Sequence, residues 1–167
     1  MAVLLNVNGN EHRLDTDPST PLLYALRNEL QMNAAKYGCG LGQCGACMVL
    51  IDSKPAFSCL TPLAALNQRR VTTLEGLGTL ANPGIVQRAF EIEQAAQCGY
   101  CTAGMIIRAH ALLERTSTPG DADIRAYMQT NLCRCGTHFR VIKAIKRAAQ
   151  MMRGPPQSTV DLNDSAG

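Results

Sequence analysis

Residues 37–47 are Tyr-Gly-Cys-Gly-Leu-Gly-Gln-Cys-Gly-Ala-Cys, so glycine and cysteine fill seven of the eleven positions. With Cys59 the cysteines have the spacing C-x4-C-x2-C-x11-C, which is the ligand arrangement of plant-type [2Fe–2S] clusters. A tight loop with three ligands needs unusual backbone angles, and glycine both adopts them and lets N–H groups approach the sulfurs. This first cysteine set (Cys39, Cys44, Cys47 and Cys59) predicts an iron–sulfur cluster, with zinc as the alternative.

The remaining cysteines form a second cysteine set, consisting of Cys98, Cys101, Cys133 and Cys135. Its spacing, C-x2-C-x31-C-x-C, is less specific, because four thiolates can also hold zinc. Each pair falls where two predicted helices join. Two such joins facing each other would hold one metal centre, and the spacing favours iron–sulfur over zinc without deciding between them.

Composition limits the classes of protein to which the chain can belong. A net charge of +3 over 167 residues is too weak a bias to indicate nucleic-acid binding. The first apolar run is too short for a signal peptide, and no run is long enough to insert into a bilayer. We therefore expect a cytoplasmic protein, in which cysteines serve metal binding rather than disulfides.

The N-terminal half has the pattern of a small mixed sheet with one packed helix. Residues 2–16 predict a β-hairpin around Asn8-Gly9. Thr20 followed by Pro21 predicts a helix N-cap and first turn. The further predicted strands are 48–51, 56–59 and 71–74.

The C-terminal half is helical in pattern, and the change of character falls at residues 76–84. Helices are predicted over 85–93, 103–114 and 138–152, with a short one capped by Asp121 and ending near Met128. The sequence thus predicts an α+β protein with domains at 1–78 and 79–153. The polar segment 154–167 is predicted to be a disordered tail.

Three segments, 37–47, 96–101 (Ala-Gln-Cys-Gly-Tyr-Cys) and 131–137 (Asn-Leu-Cys-Arg-Cys-Gly-Thr), resemble the signatures of one family. They are similar to the small iron–sulfur subunits of the xanthine-oxidase family of molybdenum hydroxylases, nearest to those of nicotinate and isoquinoline hydroxylases. Order and spacing agree over about residues 3–152. The resemblance implies a β-grasp plant-type ferredoxin domain, then a four-helix-bundle [2Fe–2S] domain, with all eight cysteines as ligands.

The resemblance also implies partners that this chain does not contain. A large subunit would bind molybdopterin, as the cytosine dinucleotide, and oxidise an N-heterocyclic aromatic such as nicotinate or isoquinoline. Electrons would leave through both clusters of this chain to a flavin subunit or a cytochrome. The alternatives are an aldehyde- or purine-oxidising member of the family, or a free-standing two-cluster ferredoxin.

Two residues have a further role by this resemblance. Gln97 matches the position whose amide binds the pterin, and Cys135 matches the ligand whose sulfur lies beside it. Without the resemblance, Gln97 would be interpreted as a helix-end side chain that satisfies backbone groups.

The last predicted helix is basic, with Arg140, Lys143, Lys146, Arg147 and Arg153. A docking face for an electron acceptor and an ordinary solvated helix face are both compatible with this charge pattern. The sequence has no nucleophile motif, phosphate loop or pair of catalytic carboxylates, which favours a chain that conducts electrons and leaves the chemistry to a partner.

Overall fold

The computed structural model describes residues 2–154. Five strands form one mixed sheet in the order β2-β1-β5-β3-β4, with β1 and β5 parallel and the other neighbours antiparallel. Four helices follow the sheet along the chain, so the predicted α+β class is confirmed. The strands are β1 Ala2–Val7, β2 Asn10–Asp15, β3 Met48–Ile51, β4 Lys54–Phe57 and β5 Arg70–Thr72.

The predicted N-terminal hairpin is confirmed, and its turn explains the register. Asn8 and Gly9 have φ values of 52° and 82°, the positive pair that a two-residue type I′ hairpin turn requires. Val7 consequently pairs with Asn10. Leu5 and Val7 point into the core of the N-terminal half together with Leu14 of β2.

The first helix, α1 (Leu22–Tyr24), differs from its prediction at the start. Thr20 is not its N-cap: Pro21 holds that position in extended backbone, without a side-chain cap. The backbone N–H of Leu22 instead donates to the carbonyl of Thr61 at 2.8 Å, so a neighbouring loop replaces the cap. The chain then continues as a π-helical turn, Ala25–Glu29.

The predicted strands 56–59 and 71–74 both begin earlier than expected. Asp52 and Ser53 each adopt positive φ, of 49° and 63°, and this two-residue turn starts β4 at once. Pro55 lies in β4, where it is tolerated because β4 is an edge strand. Strand β5 ends at Thr72, and a short 3₁₀ turn, Leu74–Gly76, follows.

The helical half matches the prediction closely, except at one cap. Asp121 is the first helical residue rather than the cap, which is Gly120. The carboxylate of Asp123 accepts the backbone N–H of Gly120 at 3.0 Å, so the acid three residues after the cap satisfies it. The helices are α2 Ile85–Ile92, α3 Thr102–Arg115, α4 Asp121–Tyr127 and α5 His138–Arg153.

Much of the basic charge of α5 is used inside the helical half. Lys146 pairs with Asp121 at 2.7 Å, and Arg147 pairs with Glu93. Arg140 donates to the carbonyl of Gln94 at 3.2 Å. These side chains fasten α5 to the ends of its neighbours, so neither a docking face nor a purely solvated face describes them fully.

The two halves have separate cores and meet along α3. Ile107 and Ala111 of α3 form a small buried cluster with Met48 and Leu50 of β3. One turn earlier, Gly104 lies against the loop of the first cysteine set, where a Cβ would come within 2.0 Å of the Gly45 carbonyl oxygen. The helix can approach this loop so closely only because Gly104 has no side chain.

The predicted disordered tail lies outside the described residues except for Gly154, which ends α5. No helix in the described range 2–154 combines the length and apolar character needed to cross a membrane.

We expect Gly104→Ala to lower the free energy of unfolding by about 1–3 kcal/mol, the usual cost of overpacking. Helix propensity alone predicts the opposite sign, because alanine in a helix interior is favoured over glycine by about 1 kcal/mol. Urea denaturation of the two proteins decides the sign, and a more stable variant would show that α3 does not depend on this contact.

Candidate metal centres

The loop of the first cysteine set directs backbone N–H groups at its sulfurs. The amides of Leu41 and Gln43 each donate to Cys39 Sγ at 3.3 Å, and that of Cys44 does so at 3.4 Å. The amide of Cys39 donates in turn to Cys44 Sγ at 3.4 Å. Such donors stabilise a thiolate and are one feature of iron–sulfur loops.

Glycine makes this loop geometry possible. Gly40, Gly42 and Gly45 have φ values of 66°, 67° and 73°, in the left-handed region that glycine enters most easily. Gly38 acts differently: a Cβ there would lie 2.6 Å from Cys44 Sγ. The sequence-based interpretation of these glycines therefore agrees with the geometry.

The thiols of the first cysteine set lie in contrasting environments. The backbone N–H of Leu41, followed by those of Gln43 and Cys44, lowers the pKa of Cys39 to about 6. Burial raises the pKa of Cys47 to about 12, and the nearby thiols of Cys59 and Cys44 also act on it. A thiolate at Cys47 therefore requires a compensating cation, which an iron–sulfur cluster would supply.

The second cysteine set comes together from two helix joins, as the sequence predicts. Cys98 and Cys101 lie between α2 and α3, and Cys133 and Cys135 lie between α4 and α5. The thiol of Cys98 interacts with that of Cys135, and Cys101 interacts with Cys133. The joins thus face each other across the end of the helical half.

Burial divides the second set in the same way as the first. Burial raises the pKa of Cys101 to about 12, with Cys133 as the next cause. Burial also opposes ionisation of Cys133, but hydrogen bonds, first from Thr137, outweigh it and lower the pKa of this thiol to about 7. The Thr137 hydroxyl lies 3.1 Å from Cys133 Sγ. Each set therefore combines a buried thiol with one stabilised as thiolate.

The two sets are joined by one backbone hydrogen bond. The N–H of Leu132 donates to the carbonyl of Cys44 at 3.0 Å, and Leu132 directly precedes Cys133. The hydroxyl of Tyr100, beside Cys101, donates to the carbonyl of Tyr37. Candidate ligands of the two sets are therefore connected by a path of covalent bonds and one hydrogen bond.

Gln97 lies in the loop between α2 and α3, where it is exposed and bonds to no described residue. It does not cap a helix end, so its interpretation as a helix-end side chain finds no support. Cys98 beside it is also exposed, whereas Cys135 is partly buried. Phe139 and Leu132, near the same end, are 70% and 58% exposed, which is typical of a surface that binds a partner.

Within residues 2–154, no three or more His, Cys, Asp or Glu side chains converge closely enough to hold a single metal ion. The fit to a cluster rests instead on the N–H donors, the glycines and the grouping of the thiols. Sequence reasoning missed Gly104, Thr137 and the side chain of Asn131. The last two lie within the segment 131–137, which was the available signal.

Comparison with known proteins gives two family matches that cover most of the chain. Residues 5–72 match a 2Fe-2S iron-sulfur cluster binding domain, and residues 73–146 match a [2Fe-2S] binding domain. The small iron–sulfur chain of nicotinate dehydrogenase from Pseudomonas putida is 54% identical over 92% of this chain and 98% of its own length. The chain belongs to the small iron–sulfur subunits of the xanthine-oxidase family of molybdenum hydroxylases.

Two further relatives support this membership. The alpha subunit of isoquinoline 1-oxidoreductase from Brevundimonas diminuta is 47% identical over 86% of this chain and 95% of its own length. The crystal structure of quinoline 2-oxidoreductase from Pseudomonas putida 86 contains a chain with a TM-score of 0.86 and 34% identity, over 92% of this chain and 96% of that one. As in these relatives of the family, the two domains are iron–sulfur domains, and they provide for two [2Fe–2S] clusters.

We expect Gly38→Ala to remove the cluster of the first set and to leave that of the second. The backbone at Gly38 does not require glycine, but the new Cβ would displace Cys44 Sγ, 2.6 Å away. Iron per chain should fall from about four to about two, with one of two electron paramagnetic resonance (EPR) signals lost.

The matched control is Gly120→Ala, whose Cβ would meet only the Asp123 carboxylate at 3.3 Å. It should keep both signals. Unchanged iron in Gly38→Ala would show that Cys44 is not held where a ligand must be.

Proposed function

We propose that this chain carries electrons from a molybdopterin site in a large partner subunit to an external acceptor. As an iron–sulfur subunit of an oxidoreductase, it has no substrate chemistry of its own. The observation that carries the proposal is the hydrogen bond of 3.0 Å from Leu132 N–H to the Cys44 carbonyl. It links the two cysteine sets, as a chain that passes electrons between them requires.

The proposed ligands are the four cysteines of each set. The first set would hold the plant-type cluster and the second set the cluster of the helical domain. When bound, the clusters supply one-electron carriers. The residues of the chain hold the thiolates, direct N–H groups at them, and keep Cys47 and Cys101 away from water.

The second set would face the partner subunit. Gln97 and Cys98 are exposed at that end of the helical half, and we assign Gln97 the role of hydrogen-bonding the pterin. Cys135 would bind iron and lie beside the pterin. The pterin form proposed is the cytosine dinucleotide, as the resemblance implies.

The finer architecture proposed is a β-grasp domain at 1–78 and a four-helix bundle at 79–153. It is supported by the separate cores of the two halves and by the sheet order. Leu74 and Leu77 pack against the helical core, so the connection between the domains is close rather than loose.

The substrate proposed is an N-heterocyclic aromatic such as nicotinate or isoquinoline. The names of the nicotinate and isoquinoline relatives support it, since both belong to enzymes of such compounds. A flavin subunit or a cytochrome would accept the electrons near the first set, where Leu41 and Leu60 are 68% and 54% exposed. We place the complex in the cytoplasm.

Purification of the tagged chain from its native cell with its partners tests the proposal. We expect about four irons per chain, no zinc, and molybdenum in a co-purifying large subunit. Four irons without molybdenum or a partner would indicate a free ferredoxin instead. Zinc in place of iron would contradict the proposal altogether.

We expect Gln97→Ala to keep four irons and both EPR signals but to slow reduction of the clusters by substrate at least tenfold. The reason is that the exposed amide would no longer bind the pterin, while no ligand is changed. Stopped-flow absorbance of the complex measures the rate. Gln150→Ala, an exposed glutamine on α5, is the control, and equal rates in both variants would refute the role of Gln97.

A further inference from the structure

Asn131 lies between α4 and α5, two residues before Cys133, and its side chain is sealed from solvent. The residue is 2% exposed, and neither Oδ1 nor Nδ2 of its amide has a hydrogen-bond partner in the described chain. A buried primary amide without any partner is costly and rare. Asn131 therefore needs a partner that the polypeptide itself does not provide.

The amide is packed against the loop of the first cysteine set. A Cβ added to Gly45 would lie 2.5 Å from Asn131 Nδ2, so the amide occupies the space that any side chain at Gly45 would fill. Gly45 lies between Cys44 and Cys47. The unpartnered donor is consequently part of the wall around the proposed plant-type cluster.

The backbone holds Asn131 in this position from both sides. Its N–H donates to the carbonyl of Met128 at 2.9 Å, and the next N–H, of Leu132, donates to Cys44 at 3.0 Å. Its own carbonyl lies 3.3 Å from Nε2 of His138. The side chain cannot withdraw to solvent without breaking these contacts.

We propose that the side-chain N–H of Asn131 donates to a sulfur of the plant-type cluster and thereby sets its potential. The inference rests on the proposed function, because that cluster is the group that supplies the missing acceptor. Reduction adds negative charge to a cluster, so a donor favours the reduced form, and hydrogen bonds to the sulfurs are one determinant of cluster potential. Asn131 is thus a positioning residue contributed by the helical half to the cluster of the other half.

Asn131→Leu tests the inference in the intact complex. Leucine branches at the same atom but has no donor, so the plant-type cluster should become harder to reduce. We expect about a tenfold change in its reduction equilibrium, equivalent to about 59 mV for one electron, in a redox titration followed by EPR. The potential of the second cluster should stay within a third of that shift.

Thr130→Val is the matched control. The Thr130 hydroxyl is also buried and unpartnered, but the Gly45 site meets only its backbone carbonyl, so neither potential should change. Equal shifts of both clusters in Asn131→Leu, or no shift with four irons retained, would overturn the inference. Wild-type complex lacking iron would instead refute the proposed function.

A second measurement does not depend on how the variant folds. Wild-type complex labelled with ¹⁵N at asparagine side-chain amides should show a nitrogen coupling at the reduced plant-type cluster in pulsed EPR. The absence of this coupling would also overturn the inference.

Discussion

The close approach between the Gly45 loop and the helical half is the constraint on which the rest of the structure depends. The carbonyl of Gly45 lies where a Cβ on Gly104 would be, and Asn131 lies where a Cβ on Gly45 would be. Two glycines therefore allow three segments to meet without side chains between them. This contact brings Leu132 within hydrogen-bond distance of Cys44, and so brings the two cysteine sets together.

A second constraint is electrostatic. Each set gathers four thiols in a small volume, and mutual repulsion and burial oppose their ionisation. The chain responds with backbone N–H donors at Cys39 and with Thr137 at Cys133. It leaves Cys47 and Cys101 buried, with the pKa of each raised to about 12. The arrangement suits a bound group that carries positive charge at its centre.

Much of this was predictable from sequence, because it depends on local spacing. The cysteine loop, the hairpin turn at Asn8 and the helix joins follow from short-range patterns. The cap at Thr20 was wrong because a distant loop, through Thr61, satisfies Leu22 instead. Gly104 and Asn131 were missed for the same reason, since their importance comes from residues far along the chain. The role of Gln97 stays a prediction, because its proposed contact lies in another subunit.

The interlocked loop has a consequence for the order of assembly in the cell. Its cysteines emerge early from the ribosome, but the residues that enclose it, Gly104 and Asn131 with Leu132, are synthesised much later. The loop is therefore not enclosed until nearly the whole chain has been made, and contacts so distant in sequence form late. Until then the first cysteine set stays open to iron–sulfur donor proteins and to oxidants alike, which makes cluster delivery a step that follows translation.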